Sequence, residues 1–477
     1  MSDWEAVIGL EIHVQLATRT KMFCSCSPSF GEEPNTRTCP VCLGLPGALP
    51  TINAAAIDYG LQIGLALGCE LASRSVFHRK NYFYADLPKG YQISQFDEPL
   101  CSGGELDGVR INRVHLEEDA AKLSHSSASG RIHGADASIV DFNRGGTPLA
   151  EIVTEPDLGS AAQARAWLQL LRSTLRALGV SDVNMDEGSL RCDANVSIRA
   201  VGDTGLSTKT ELKNMNSFRF VEKGIEAEIA RQVALVDAGG TVVQETLHFD
   251  PRTGTLTSLR SKEEAHDYRY FPEPDLLPVA VDEARIARAR ETLPELPAAR
   301  ASRYVEEHSL DPDLAKRLAF DADLTEMFES SLASGAGSVP ARAIATWVSA
   351  EVSPRLGEMD DSSRSRLEPA ALASLVGLVE SGKVTTAAAR GVLDRLVAEG
   401  GEPSAIVASE GLEKVGAGDE LSAAVDEAIA ADPEAAAKVG AGEQKALGPL
   451  VGLVMKATQG RADGAEVRRL LLERLAP

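Results

Sequence analysis

From Ile8 to Leu16 the chain alternates strictly. Ile8, Leu10, Ile12, Val14 and Leu16 fall on one face of an extended segment, and Gly9, Glu11, His13 and Gln15 on the other, because strand side chains repeat every second residue. This predicts a half-buried strand whose polar face carries a carboxylate, an imidazole and an amide. The period returns at 109–118, where Arg113, His115 and Glu117 share a face and Val114 and Leu116 take the other, so Glu117 rather than Glu118 points into a site. After Gly188 it returns again: Leu190, Cys192, Ala194, Val196 and Ile198 alternate with Arg191, Asp193, Asn195, Ser197 and Arg199. A run with Lys209, Glu211 and Lys213 on one face follows a turn around Gly202–Gly205 and predicts a hairpin. Further strands are expected at 137–143 and 149–154, and in the second of these Glu151 interrupts an apolar run.

Helical spacing covers 54–68, which is Ala-rich and ends in Gly68, and 160–178, with Ser160 as N-cap and Gly179 just beyond. The character changes at Thr292-Leu-Pro-Glu-Leu-Pro297. From 298 onward Ala, Leu, Glu and Arg dominate and strand patterns vanish, and 400–404 marks a second boundary. Near the end, Gln444 to Thr458 forms a helix capped by Gly460, and Asp463 starts a last one to about Leu475. The expectation is an α+β domain over 1–293, then helical domains over 294–402 and 403–477.

At 477 residues the chain is too long for one ordinary core, and its 44% hydrophobic and 25% charged residues describe a globular, soluble protein. No run of about 18 apolar residues could span a bilayer, and the acidic start Met-Ser-Asp-Trp-Glu has no signal-peptide pattern; the expected location is the cytoplasm. A net charge of −22 argues against broad nucleic-acid binding, though local basic patches leave room for specific RNA contact. Seven cysteines, four of them within 24–42, do not make a secreted disulfide framework.

Cys24-Ser-Cys26 and Cys39-Pro-Val-Cys42 supply two close-spaced thiolate pairs, the arrangement of a closed, structural tetrahedral zinc site; a redox pair with unrelated neighbours is the other reading. Glu151 in its apolar run is a residue seldom buried without a partner. If the polar faces bearing His13, Glu117 and Glu151 share a floor, an oxygen-rich set with one imidazole suits Mg²⁺; unrelated solvated charges are the plainer alternative. Residues 74–92 gather Arg74, Arg79, Lys80 and Lys89 among Tyr82, Phe83, Tyr84 and Tyr91, either to hold phosphates and stack a base or as a core cluster with a charged rim. There is no P-loop, so a nucleotide here would not be held in the Walker manner.

Several stretches together resemble the B-subunit family of the bacterial glutamyl/aspartyl-tRNA amidotransferases. They are Val7-Ile-Gly-Leu-Glu-Ile-His-Val14, Arg79-Lys-Asn-Tyr-Phe-Tyr84, Tyr91-Gln-Ile-Ser-Gln-Phe96, His115-Leu-Glu-Glu-Asp119, Asn143-Arg-Gly-Gly-Thr-Pro148, Gly188-Ser-Leu-Arg-Cys-Asp-Ala-Asn195, Glu211-Leu-Lys-Asn214 and Asp267-Tyr-Arg-Tyr-Phe-Pro-Glu-Pro-Asp275. The resemblance implies an antiparallel-sheet cradle related to the glutamine synthetase-like fold and a helical tail that contacts tRNA. It implies ATP-dependent activation of the side-chain carboxylate of Glu on tRNA(Gln) or Asp on tRNA(Asn). Ammonia would come from a partner amidase (glutaminase) A subunit, with a small C subunit completing a heterotrimer. It further implies His13, Glu117 and Glu151 as Mg²⁺ ligands, Glu11 and Glu118 as nearby catalytic carboxylates, and Arg79 and Lys80 as contacts to the nucleotide or the charged tRNA end. Cys24, Cys26, Cys39 and Cys42 would hold structural Zn²⁺, and Lys445, Lys456, Arg461, Arg468 and Arg469 would meet tRNA phosphates. Two other readings compete: a zinc-braced tRNA-binding module that only positions its substrate, and a free-standing metallohydrolase built on Glu11 and His13.

Overall fold

The computed structural model describes residues 4–28, 31–126, 135–261, 268–335, 338–358, 365–414, 419–441, 443–458 and 460–475. Met1 to Asp3 of the acidic start and Asp267 of the Asp267–Asp275 stretch lie outside the described residues. The chain forms two compact units, 1–297 and 298–477.

The first unit is built on a ten-stranded sheet. Its central strands are β1 (Trp4–Gln15), β4 (Val109–Glu118), β5 (Pro148–Thr154) and β6 (Leu190–Ala200), numbered with β2 (Phe77–Asn81) and β3 (Tyr91–Gln95), which stand in a separate small sheet. Beyond β6 follow β7 (Thr210–Lys213), β8 (Glu245–Asp250) and β9 (Thr255–Ser261). The order is β9-β8-β7-β6-β1-β5-β4, continued by Cys101–Ser102 and Glu70–Leu71, and among these pairs only β7 with β8 is parallel. β6 and β7 pair antiparallel through Ala194 and Leu212, the expected hairpin partners. The expected 137–143 strand is shorter, Ser138–Asp141, and pairs with Lys122–His125 in a ribbon outside the main sheet.

The alternation decides which face is covered. Ile8, Leu10, Ile12 and Val14 are buried together with Val114, Leu116, Ala150, Ile152, Ala194 and Val196; each of the Val, Leu and Ile side chains contributes about 1.5–3 kcal/mol. Helices α1 (Ala54–Ala66), α2 (Ala161–Leu178) and α3 (Phe218–Asp237) close this face. α1 packs on β4, α3 on β6, and α2 against both helices. Asn53 caps α1 by accepting from Ala55 N and Ala56 N, and Ser160 caps α2 by accepting from Gln163 N. Gly179 ends α2 in the left-handed region, φ 68°, where a Cβ would be strained. With the helices on one side, the polar face of β1, β4, β5 and β6 is left for chemistry.

The second unit is helical from Ala298 to Leu475 and carries two apolar clusters, one from Ala301 to Val407 and one from Leu421 to Leu471. In the first, Tyr304 is fully buried edge-on to Phe328, ring centroids 5.0 Å apart, and donates its hydroxyl to Glu329. In the second, Asp463 caps the last helix, accepting from Ala465 N and Glu466 N.

Candidate active site

The polar face is laid out in cross-strand rows, since directly opposed residues of an antiparallel pair put their side chains on one face with Cβ atoms about 4.5–5.5 Å apart. The register sets Arg191 of β6 opposite His13 of β1, His13 opposite Glu151 of β5, and Glu151 opposite His115 of β4. One row therefore runs guanidinium, imidazole, carboxylate, imidazole across four strands. Glu117 stands two residues further along β4, and Glu11, opposite Asp193, two residues back along β1.

The side chains converge. His13 Nε2 lies 3.4 Å from Glu151 Oε2 and 3.8 Å from both Glu117 Oε1 and Glu11 Oε1. His115 Nε2 lies 3.3 Å from Glu151 Oε2 and 3.7 Å from Glu117 Oε2, to which Ser94 Oγ also donates at 3.0 Å. His115, Glu117 and Glu151 are buried. Burial by itself favours the neutral forms, but the opposite charges prevail. It pushes the Glu151 carboxyl up, yet His115 and His13 hold it well below the usual carboxylate range. Glu117 is likewise held low against burial, by His115 and Lys80. Burial lowers His115, but Glu151 and Glu117 raise it to about 9. His13 is raised too, against burial, mainly by Glu151. Glu11 goes up, through burial first and then the charge of Glu151.

The result is a pair of buried carboxylates kept ionised by adjacent positive charge. One donor atom each from His13, Glu117 and Glu151 lie within 4.8 Å of one another, and Glu11, His13 and Asp193 form a second such group sharing His13. Either could hold a cation.

Not every residue singled out in the sequence joins this centre. Arg79 and Lys80 are neighbours on β2 and so face opposite ways. The Lys80 ammonium sits 4.9 Å from the Tyr268 ring centroid, and the charges of Glu117 and Glu151 outweigh burial and raise its pKa. Arg79 is turned to the buried Glu273, donating through Nε and Nη2 at 2.7 Å each, with its guanidinium 4.3 Å over the Tyr91 ring. Glu118 points away from Glu117 and accepts from Ile93 N at 3.0 Å and from Lys89 Nζ. Near Glu11, Lys213 Nζ pairs with Asp193 at 2.6 Å and Glu211 at 2.9 Å.

Five participants are missing from the site residues singled out in the sequence, Asp193 of the second cation group among them. His115 was legible as sharing a face with Glu117. Arg191 was legible on the polar face of β6. Ser94 reaches the centre from the small sheet, and Asp119 lies past the end of β4, so neither carries a periodic signal. Asp119 is buried, and Arg191 and Arg144 hold it below the usual range against the upward push of burial.

The cysteine loop is a separate centre. One sulfur each from Cys24, Cys26, Cys39 and Cys42 lie within 4.8 Å of one another, with the Sγ atoms of Cys39 and Cys42 3.8 Å apart, and all four are free thiols. Cys39 N donates to Cys42 Sγ at 3.2 Å. The Cys42 thiol is pulled down to about 4, chiefly by its hydrogen bond with Cys24, with Lys21 assisting. Burial and Cys39 push Cys26 up to about 11. Lys21 itself is fully buried, its Nζ 3.9 Å from Cys42 Sγ. This set could hold a metal. In the second unit, Lys445, Lys456 and Arg468 are exposed, whereas Arg461 pairs with Glu420 and Arg469 with Glu466 and Glu473.

Residues 6–287 match the GatB/GatE catalytic domain, and residues 326–475 match the GatB domain. Among the most similar curated proteins is one from Frankia casuarinae, 50% identical, covering all of this chain and 96% of its own length. Another, from Anaeromyxobacter dehalogenans strain 2CP-1, is also 50% identical, covering all of this chain and 99% of its own. A third, from Thermobifida fusca, is 49% identical, covering all of this chain and 95% of its own. Each of the three is named as the B subunit of an aspartyl/glutamyl-tRNA(Asn/Gln) amidotransferase. With the catalytic-domain match spanning more than half of its length and half of its residues identical to full-length relatives, the chain belongs to the GatB/GatE family.

Proposed function

We propose that the chain activates the side-chain carboxylate of Glu on tRNA(Gln), or Asp on tRNA(Asn), by phosphorylation from ATP and presents the product to ammonia. As a component of a tRNA-dependent amidotransferase, it serves the conversion of these misacylated tRNAs to Gln-tRNA(Gln) and Asn-tRNA(Asn). The observation that carries the phosphorylation reading is the cluster of His13, Glu117 and Glu151 on the face of a mostly antiparallel sheet that the helices leave free. That arrangement also suits a cradle related to the glutamine synthetase-like fold.

In the first step a substrate carboxylate oxygen bonds to the γ-phosphorus of ATP while the bond to the bridging oxygen breaks and ADP leaves. In the second, ammonia attacks the acyl carbon, phosphate departs, and the amide remains after loss of a proton. Such transfer depends on positioning and on neutralising phosphate charge more than on covalent help from the protein. His13, Glu117 and Glu151 fit Mg²⁺: two ionised oxygen donors and one imidazole meet in a small volume. When bound, the ion would neutralise charge on the phosphate oxygens. Glu11 stands beside His13 to orient the centre. Lys80 brings a fixed positive charge to the phosphates. Arg79 orders the Glu273 and Tyr91 side of the small sheet, and Glu118 acts there with Lys89.

Zinc suits the cysteine loop, because a tetrahedron with zinc–sulfur bonds of about 2.3 Å has edges of about 3.8 Å, the spacing of Cys39 and Cys42 Sγ. Closed by four thiolates, it would brace the loop. The remaining parts of the reading are a partner amidase A subunit, a small C subunit, tRNA phosphates on the exposed tail cations, and a cytoplasmic setting; among the described residues no helix is long and apolar enough to cross a membrane.

The test is amidation by the full chain purified with its partner subunits, given Glu-tRNA(Gln) or Asp-tRNA(Asn) with ATP and glutamine. Wild type should form the amide, and His13→Ala should lose the phosphorylated intermediate while still binding tRNA. A His13→Ala complex that phosphorylates at the normal rate would leave the chain as a positioning module.

A further inference from the structure

Arg191 has no part in the proposed cation site, yet the register places it on the polar face directly beside His13, at the end of the row opposite His115. Its guanidinium is tethered at one nitrogen. Nη2 pairs with Asp119 Oδ2 at 2.9 Å, while Nε is closed to solvent and has no hydrogen-bond acceptor among the described residues. Asp119 has other donors as well. Its Oδ2 accepts from Gln15 Nε2 at 2.7 Å and its Oδ1 from Ala120 N at 2.9 Å. Arg144, on the same carboxylate, shows what a structural arginine looks like here: Nε and Nη2 donate to the carbonyls of Ala120 and Ala121 at 3.0 and 3.1 Å. The Arg191 side chain, by contrast, remains 37% exposed.

We propose that Arg191 binds phosphoryl oxygens on this face, gripping the phosphoryl group as it passes from ATP to the substrate carboxylate. The proposal rests on the function given above and names a group that would touch the reacting atoms. A planar guanidinium presents donors in a fork that fits two phosphate oxygens, and it is always charged. Charge distribution favours this end of the row. Glu11, Glu117 and Glu151 repel a phosphoryl group, whereas Arg191 supplies a cation on the β6 side of His13. The exposed end of the side chain is what an arriving anion can meet. Arg191 transfers no proton: the carboxylate oxygen–phosphorus bond forms, the bond to the bridging oxygen breaks with its electron pair leaving on ADP, and the Arg191 N–H groups bond to non-bridging oxygens. Asp119 is a positioning residue that tethers the guanidinium through Nη2.

The test uses the full chain with its partner subunits, measuring single-turnover ADP formation on Glu-tRNA(Gln) with glutamine omitted. Arg191→Ala should lower the phosphorylation rate constant by about 100- to 1,000-fold while KM for the tRNA and Mn²⁺ affinity stay within about threefold of wild type. Guanidinium ion added to Arg191→Ala should restore part of the lost rate, and Arg191→Lys should fall between wild type and Ala. A rate for Arg191→Ala within about threefold of wild type overturns the proposal. So does a loss of Mn²⁺ affinity that parallels the loss of rate with no rescue, since that marks a scaffold role, and so does a loss confined to KM for the tRNA, which would assign the guanidinium to the substrate carboxylate. Wild type that forms no ADP on either misacylated tRNA defeats the underlying function, and that result is read before any variant is compared.

Discussion

Replacing Lys21 with Met should loosen the cysteine loop and the segment beneath it together. Lys21 is fully buried, and its ammonium donates to the carbonyls of Arg37 at 2.8 Å and Phe142 at 3.1 Å while lying 3.9 Å from Cys42 Sγ. It thus pins the loop carrying Cys39 and Cys42 to the 142–146 turn that leads into β5 and Glu151. Hydrogen bonds from a charged donor contribute about 1.5–3 kcal/mol each, so losing two removes about 3–6 kcal/mol. A Met side chain fills most of the same channel and returns about 1–2 kcal/mol of apolar burial. The net loss is about 2–4 kcal/mol, and at 1.4 kcal/mol per tenfold this speeds local opening roughly 30- to 1,000-fold. Two amides report it: Arg37 N, which donates to Asn143 Oδ1 at 2.8 Å, and Met22 N, which donates to Gly146 O at 2.7 Å. Hydrogen exchange of the full-length chain should show both accelerated, and competition with a chromophoric chelator should show metal held by the cysteines about 10- to 100-fold more weakly. Wild-type exchange at both amides with unchanged metal affinity would refute the claim that one buried ammonium joins the loop to the sheet.

Gly64→Ala should cost about 1–3 kcal/mol, because a Cβ there meets Cys101 Sγ at 2.4 Å and Leu71 Cδ2 at 3.0 Å. Gly391→Ala, on an exposed helix position with nothing within 4 Å, should instead stabilise by about 0.5–1 kcal/mol; denaturant midpoints of the two variants should move in opposite directions. Burial pushes the Glu351 carboxyl up, but Arg390 and Arg355 outweigh it and hold the group below its usual range. A depressed carboxylate contributes stability that is present above its unfolded pKa and lost as the pH falls through the folded one. Glu351→Gln should therefore be less stable than wild type at pH 7, and the gap should narrow from about pH 4.5 downward; a gap that stays constant through acid would show that the ion pairs contribute nothing.

What the sequence carries plainly is facing. Alternation over 8–16, 109–118 and 190–198 was enough to sort buried from polar positions, to give an antiparallel-dominated α+β region, and to set it against a helical remainder after 298. Facing is a local property, written in a period of two residues. Pairing is not, and that is where the site became illegible. Nothing near Arg79 announces Glu273, which lies 194 positions away and takes its donors, so Arg79 and Lys80 read as equivalent although Arg79 is spent on Glu273 while Lys80 stands in the field of Glu117 and Glu151. Alternation turns Glu118 away from the site, and only the resemblance names it as a nearby catalytic carboxylate; the small sheet that claims it through Ile93 and Lys89 has no signature in β4. Register also assigns charge. His13 stands between Arg191 on the β6 side and Glu151 on the β5 side, and a shift of either partner by one residue would replace that row with apolar neighbours from the opposite face. The chemistry therefore depends on where β5 and β6 stop sliding against β1. The buried halves of those strands, Ile12 beside Ile152 and Cys192, set that position from beneath, so the core that looks merely structural also determines which charges meet above it.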